Sequence, residues 1–390
     1  MRITIRWSVP AIGPTNLRSR GIWLSVVIPL LFLAFAESAG ATSPDAAHPA
    51  DQRQTDASSP VATPPATPPH LRYLPLTEQG HSLPSSPRPL GTVRLISGPN
   101  PCDDQRCYEL EVTCPELAEP RQATLKVGEP INQTHKGTIL FATGWIGNSF
   151  WEVWSTNASV VLNELRMAGF RTVQLKWATN WFNGAPGRVE GHARLACRPA
   201  TVMRWVHDNL HTSQPDTAFC AYGHSNGAAQ VGFALAQYGM SAILSAVLLD
   251  GGPNWARTDK ACLQDDPANQ TLWFDDTERG IADWGFGFPN DGTGPCALKN
   301  TSYRDEFQEA SVAFGDWEYI YPKTMVWFVQ GALDQTTTAA HGRFFYNHLM
   351  MLGSPLVRMS VVPGASHNTV STTEGANTIR DILLNECRPR

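Results

Sequence analysis

The sequence predicts an α/β chain, with a mostly parallel central sheet, helices on both faces and an insertion late in the sheet. Three observations predict it. Short continuous apolar runs, such as "GTILFAT" (137–143) and "AILSAVLL" (242–249), read as strands buried on both faces. Segments of helical spacing, such as "NGAAQVGFALAQYG" (226–239), alternate with those runs, as they do in a parallel sheet. The rhythm fails between residues 251 and 322, where Asp, Asn, Gly and Trp accumulate ("DWGFGFPNDGTGPC").

In chain order, "TVRLIS" (92–97), "CYELEVT" (107–113) and "ATLKV" (123–127) cluster β-formers between turn residues and predict an antiparallel opening. The strand at 137–143 follows. Residues 150–170 have helical spacing and end at Gly169, and "TVQLKW" (172–177) is again a strand. A helix is predicted over 193–211, with Pro199 as a candidate for its true start. "TAFCAY" (217–222) is a strand that leads through a turn into the helix at 226–239, and 242–249 is the next strand. After the irregular stretch come strand 324–331, helix 338–353, strand 357–364 and a closing helix near 372–386. No internal repeat is present.

The N-terminus reads differently. Arg2, Arg6, Arg18 and Arg20 precede the uncharged run "GIWLSVVIPLLFLAFA" (21–36) and a small-residue stretch at Ala39-Gly40-Ala41. That is the anatomy of a secretory signal peptide over residues 1–41, with an uncleaved anchor as the alternative. Residues 42–90 are rich in Pro, Ala, Ser and Thr and read as a disordered linker, leaving 91–390 as the folded domain, with 251–322 as a cap or lid within it. The net charge of −5 becomes −8 once the leader is removed, so nothing electrostatic favours nucleic acid, and no second segment reads as a membrane span.

All eight cysteines follow the leader, an even number that suggests disulfides in an exported chain. Only Cys262 with Cys296 suggests itself as a pair, because it would staple the irregular stretch. Zinc is the competing use of these residues, but no C-x-x-C or paired His-Cys spacing supports it.

The turn between 217–222 and 226–239 reads Gly223-His224-Ser225-Asn226-Gly227, a G-x-S-x-G. A serine hydroxyl becomes a useful nucleophile when an imidazole takes its proton, and that imidazole needs a carboxylate on its other nitrogen. Asp334 in "QGALDQ" (330–335) and His367 in "PGASHNT" (363–369) each follow a strand, at the edge where sites assemble in an open α/β sheet. With these three motifs in this order, residues 92–387 resemble the α/β-hydrolase fold. The resemblance implies Ser225 as nucleophile, Asp334 as acid and His367 as general base. Ala228 stands where many members have a further glycine. Asp250, at the end of the strand after the nucleophile, is the rival acid; Asp334 can also serve as a helix N-cap. His224 suits a packing or hydrogen-bonding role in the elbow.

Acyl transfer further requires N–H donors for the developing oxyanion. The N–H of Asn226 is one, and "TGWIGNS" (143–149) offers the other, with Trp145 preferred over Ile146. Aromatic residues in this loop and in "WATNWF" (177–182) could line an apolar cleft, with Trp145, Ile146, Trp181 and Phe182 as the substrate-binding set. Trp273, Trp284, Phe286 and Phe288 are the aromatics that a lid could close over it. The expectation is a secreted carboxylic ester hydrolase acting through an acyl-enzyme on a small-molecule, lipid or polymer ester, with no cofactor or metal. Amide, thioester, peptide or polyester cleavage by the same triad, or a non-catalytic binding protein on the same scaffold, are the alternatives.

Overall fold

The structure, a computed structural model, describes residues 85–131 and 134–390. The leader at 1–41 and residues 42–84 lie outside the described residues. Strands β1 (Thr92–Cys102), β2 (Gln105–Thr113) and β3 (Arg121–Gly128) pair antiparallel, and β3 pairs antiparallel with β5 (Phe170–Trp177). From β5 onward the sheet is parallel through β4 (Gly137–Ala142), β6 (Ala218–His224), β7 (Ala246–Asp250), β8 (Met325–Gly331) and β9 (Val357–Val362). The full order is β1-β2-β3-β5-β4-β6-β7-β8-β9.

Alternation along the strands explains the layers. Ile139, Phe141, Cys220 and Tyr222 pack with Val161 and Leu165 of helix α1 (Thr156–Met167) on one face. Leu140, Ala142, Phe219 and Ala221 belong to the opposite core. Helices α3 (Cys197–Asn209) and α4 (Asn226–Gln237) supply Met203, Val206, Val231 and Leu235 to it. Helix α8 (Thr337–Met351) adds Phe345 and Leu349 to the second face, and α9 (Thr373–Glu386) adds Ile379 and Leu383 to the first. Every residue of β4, β6 and β7 is buried, which is why these strands lack a polar face in the sequence.

Three elements differ from the sequence reading. Residues 150–170 do not form one helix. A 3-10 turn at Trp151–Trp154 gives way to α1, because Ser155 is extended and its hydroxyl accepts the Asn157 N–H at 3.1 Å as an N-cap. The helix over 193–211 is two, α2 (Gly191–Leu195) and α3, and Pro199 sits in the first turn of α3, where no intrahelical N–H is missed. Residues 85–90, read as linker, dock on the domain: Arg88 donates its N–H to the Gln237 carbonyl at 2.7 Å and its guanidinium to Glu309 at 2.9 Å.

Between β7 and β8 the chain forms short helices α5 (Thr258–Leu263), α6 (Asp276–Asp283) and α7 (Arg304–Glu309), joined by turns. Cys262 and Cys296 pair here. The buried Asp283 carboxylate accepts the N–H groups of Cys296 and Ala297 at 2.7 and 2.9 Å, fixing the turn that carries that cysteine. The other pairs are Cys102–Cys107, Cys114–Cys197 and Cys220–Cys387. Among the described residues no helix is long and apolar enough to cross a membrane.

Candidate active site

Strand β6 ends at His224 and α4 begins at Asn226, so the reversal falls on Ser225 alone. Its backbone has φ 54° and ψ −119°, a conformation that an L-residue adopts only when its surroundings force it. The forcing is close packing. A Cβ on Gly227 would lie 2.1 Å from the Ala142 carbonyl oxygen, and one on Gly223 would lie 2.2 Å from the Gly227 carbonyl oxygen. Only glycine allows strand, turn and helix to approach this closely. The Ser225 N–H is held by the Asp250 carbonyl of the neighbouring strand at 2.8 Å. A central parallel strand that feeds a helix through such a serine turn, within this strand order, decides the architecture.

This is the α/β-hydrolase fold.

In this fold, the turn after β8 carries Asp334 and the turn after β9 carries His367. His367 reaches the serine, and Asp334 reaches His367. His367 Nε2 lies 3.0 Å from Ser225 Oγ, and His367 Nδ1 lies 2.8 Å from Asp334 Oδ2. A carboxylate only accepts, so Nδ1 carries the proton, which leaves the Nε2 lone pair to accept the serine hydroxyl. The other Asp334 oxygen accepts the Thr336 hydroxyl at 2.7 Å and its N–H at 3.0 Å. Burial pushes the Asp334 carboxyl up, but the hydrogen bonds from His367 and Thr336 outweigh it and hold the group below its ordinary value. Asp334 therefore stays ionised where the imidazole needs it.

Asp250 does not reach His367. It is fully buried, and its carboxylate accepts the Tyr222 hydroxyl at 2.7 Å and the Thr369 hydroxyl at 2.7 Å. Burial pushes it up to about 7. His224 is buried beneath the serine and donates Nε2–H to the His367 carbonyl at 3.1 Å; burial pushes it down to about 3, so it is neutral. Both residues therefore brace the histidine turn from below.

The loop after β4 lies against the elbow: a Cβ on Gly144 would sit 3.0 Å from Ser225 Cβ. Trp145 has φ 51°, and its carbonyl accepts the Asn226 side-chain amide at 2.9 Å. Among the described residues neither the Trp145 nor the Asn226 backbone N–H donates a hydrogen bond. Ile146 has its carbonyl turned to the Trp181 N–H at 3.4 Å.

A cavity of about 280 Å³ opens over the serine, lined by Ser225, His367, Trp145, Trp154, Trp255 and Phe274 together with Asn226, His224, Asn254, Glu278, Ile281 and Thr338. The substrate-binding set read from the sequence needs correction. Trp145 lines the cavity, but Ile146, Trp181 and Phe182 do not. Trp181 and Phe182 are fully buried against Trp255. Their turn is held inward by the buried Arg198, whose Nη1 donates to the carbonyls of Trp181 and Asn183 at 2.6 and 3.1 Å. Nor do Trp273, Trp284, Phe286 or Phe288 line it. The residues that do, Trp255, Phe274, Glu278 and Ile281, were missed. Trp255 and its neighbour Asn254 could have been found from their place just past the end of β7, at the edge where the other site residues lie.

No family model matches the chain, and no curated protein matches it. Among solved structures it is similar to a highly thermostable carboxyl esterase from Bacillus coagulans, at 16% identity over 71% of this chain and 96% of that one, with a TM-score of 0.44. It is also similar to a hyperthermophilic esterase from Pyrobaculum calidifontis (14% identity, 71% and 83% of the chains, TM-score 0.45). A dienelactone hydrolase from Anabaena variabilis is a third (16% identity, 74% and 100%, TM-score 0.40).

Proposed function

We propose that the chain is an exported serine hydrolase that cleaves carboxylic esters. The observation that carries this reading is the continuous relay Ser225–His367–Asp334, at 3.0 and 2.8 Å, on a serine held in a strained elbow. Ser225 Oγ attacks the ester carbonyl while its proton passes to His367 Nε2. The ionised Asp334 stabilises the imidazolium and keeps Nδ1 protonated. The free N–H groups of Asn226 and Trp145 receive the oxyanion, and the imidazolium then protonates the departing alkoxide. Water, deprotonated by the same imidazole, attacks the acyl-serine and returns the enzyme. The aromatic cavity accommodates the organic part of the ester. Four cysteine pairs suit an oxidising compartment, in keeping with a leader at 1–41.

A fluorophosphonate probe tests the reading. Wild-type protein should label, and Ser225→Ala should not. A folded wild-type protein that never labels would favour a non-catalytic binding role. Rates on p-nitrophenyl esters set beside matched anilides and thioesters then separate ester cleavage from the other acyl transfers.

A further inference from the structure

The cavity over Ser225 has an unusual wall. Among the described residues lining it, four are large aromatics and one, Glu278, is a carboxylate; no Lys or Arg lines it. Glu278 forms no ion pair among the described residues. Its neighbour Arg279 is engaged elsewhere, with Asp276 and with the Phe274 carbonyl. The Glu278 charge therefore faces the cavity without a counter-ion.

Its hydrogen bonding limits what can answer that charge. One oxygen accepts the Thr337 hydroxyl, and the other accepts the Asp275 N–H at 2.9 Å in the capping box that opens α6. Both carboxylate oxygens are thus already occupied by donors. What the group still offers is charge at the cavity wall. The rings around it are held in place. Trp154 Nε1 donates to Ser149 at 3.0 Å, Trp255 stacks on the buried His192 at 3.8 Å, and Phe274 packs on His341 at 5.3 Å. Aromatic faces attract cations, most of all cations that carry no N–H and lose little hydration. We propose that this wall is a receptor for a quaternary ammonium group, so that the preferred esters carry one on the acyl or alcohol portion. The inference deepens the ester-hydrolase reading and depends on it for its kinetic test.

The test uses acetylcholine and neohexyl acetate, which share a shape and differ by one charge, followed by titration of released acid. Wild-type kcat/KM should favour acetylcholine by roughly tenfold, as a carboxylate and cation–π contacts together permit. Glu278→Gln, whose amide oxygen can still accept the Asp275 N–H while its NH2 donates to the Thr337 hydroxyl oxygen, should bring the ratio close to one. A wild-type ratio at or below one, or a ratio unmoved in Glu278→Gln of wild-type thermal stability, would overturn the proposal. If neither ester is cleaved, quenching of tryptophan fluorescence by tetramethylammonium decides. Saturable quenching that weakens about tenfold in Glu278→Gln supports the cation site even though ester hydrolysis fails. Absent or Glu278-independent quenching rejects it.

Discussion

Asp250 holds Ser225 through its backbone, accepting the serine N–H at 2.8 Å, while its buried carboxylate accepts the Thr369 hydroxyl at 2.7 Å. One residue thus joins the nucleophile turn to the chain two residues beyond His367. The carboxyl has its ordinary value of 3.8 when unfolded and is pushed up to about 7 by burial in the fold. Between those values the native state binds more protons than the unfolded state, so this group's contribution to stability falls as pH rises through the window. Wild-type Tm measured from pH 4 to 7 should carry this downward component, and Asp250→Asn should lack it. Parallel Tm–pH curves for the two proteins would contradict the assignment.

Asn226→Ala removes the amide that pins the Trp145 carbonyl at 2.9 Å. The Trp145 N–H, proposed to bind the oxyanion, loses its fixed position, and kcat should drop by up to about a hundredfold with little change in KM. A rise in KM alone, with kcat intact, would mean that the contact shapes the cavity rather than the reaction.

Gly227→Ala would drive a methyl group to 2.1 Å from the Ala142 carbonyl oxygen. Backbone on both sides has no room to yield, so the variant should lose about 3 kcal/mol or more in urea unfolding. Stability within about 0.5 kcal/mol of wild type would show that the elbow is looser than described.

The Cys220–Cys387 pair connects β6, which carries the elbow, to the end of α9, across a separation of 167 residues. Replacing both by alanine should destabilise the domain by about 2–5 kcal/mol. The measurement is chemical unfolding under non-reducing conditions. No change, together with two free thiols found in the native protein by titration, would remove the pair.

The sheet and the relay were legible in the sequence for the same reason. Strands buried on both faces, such as β4 and β6, must be apolar throughout, and Ser225, Asp334 and His367 each lie in the turn after a parallel strand. The cavity wall was not legible. Trp181 and Phe182 have the composition of a substrate cleft, but Arg198, on a separate helix, draws their turn into the core. Phe274, Glu278 and Ile281 come from a stretch with little periodicity, whose path depends on contacts far apart in sequence. The break before α1 was hidden because Ser155 caps a helix without altering the apolar spacing around it.

The central claim is that Ser225 becomes acylated during ester cleavage. Mass spectrometry of protein quenched in acid within the first turnover of p-nitrophenyl acetate tests it most directly. An acetyl group on the peptide containing Ser225, absent in Ser225→Ala and slow to clear in Asp334→Asn, is the predicted result. Ester cleavage that continues in Ser225→Ala, or an acetyl group found only on another residue, would contradict the account.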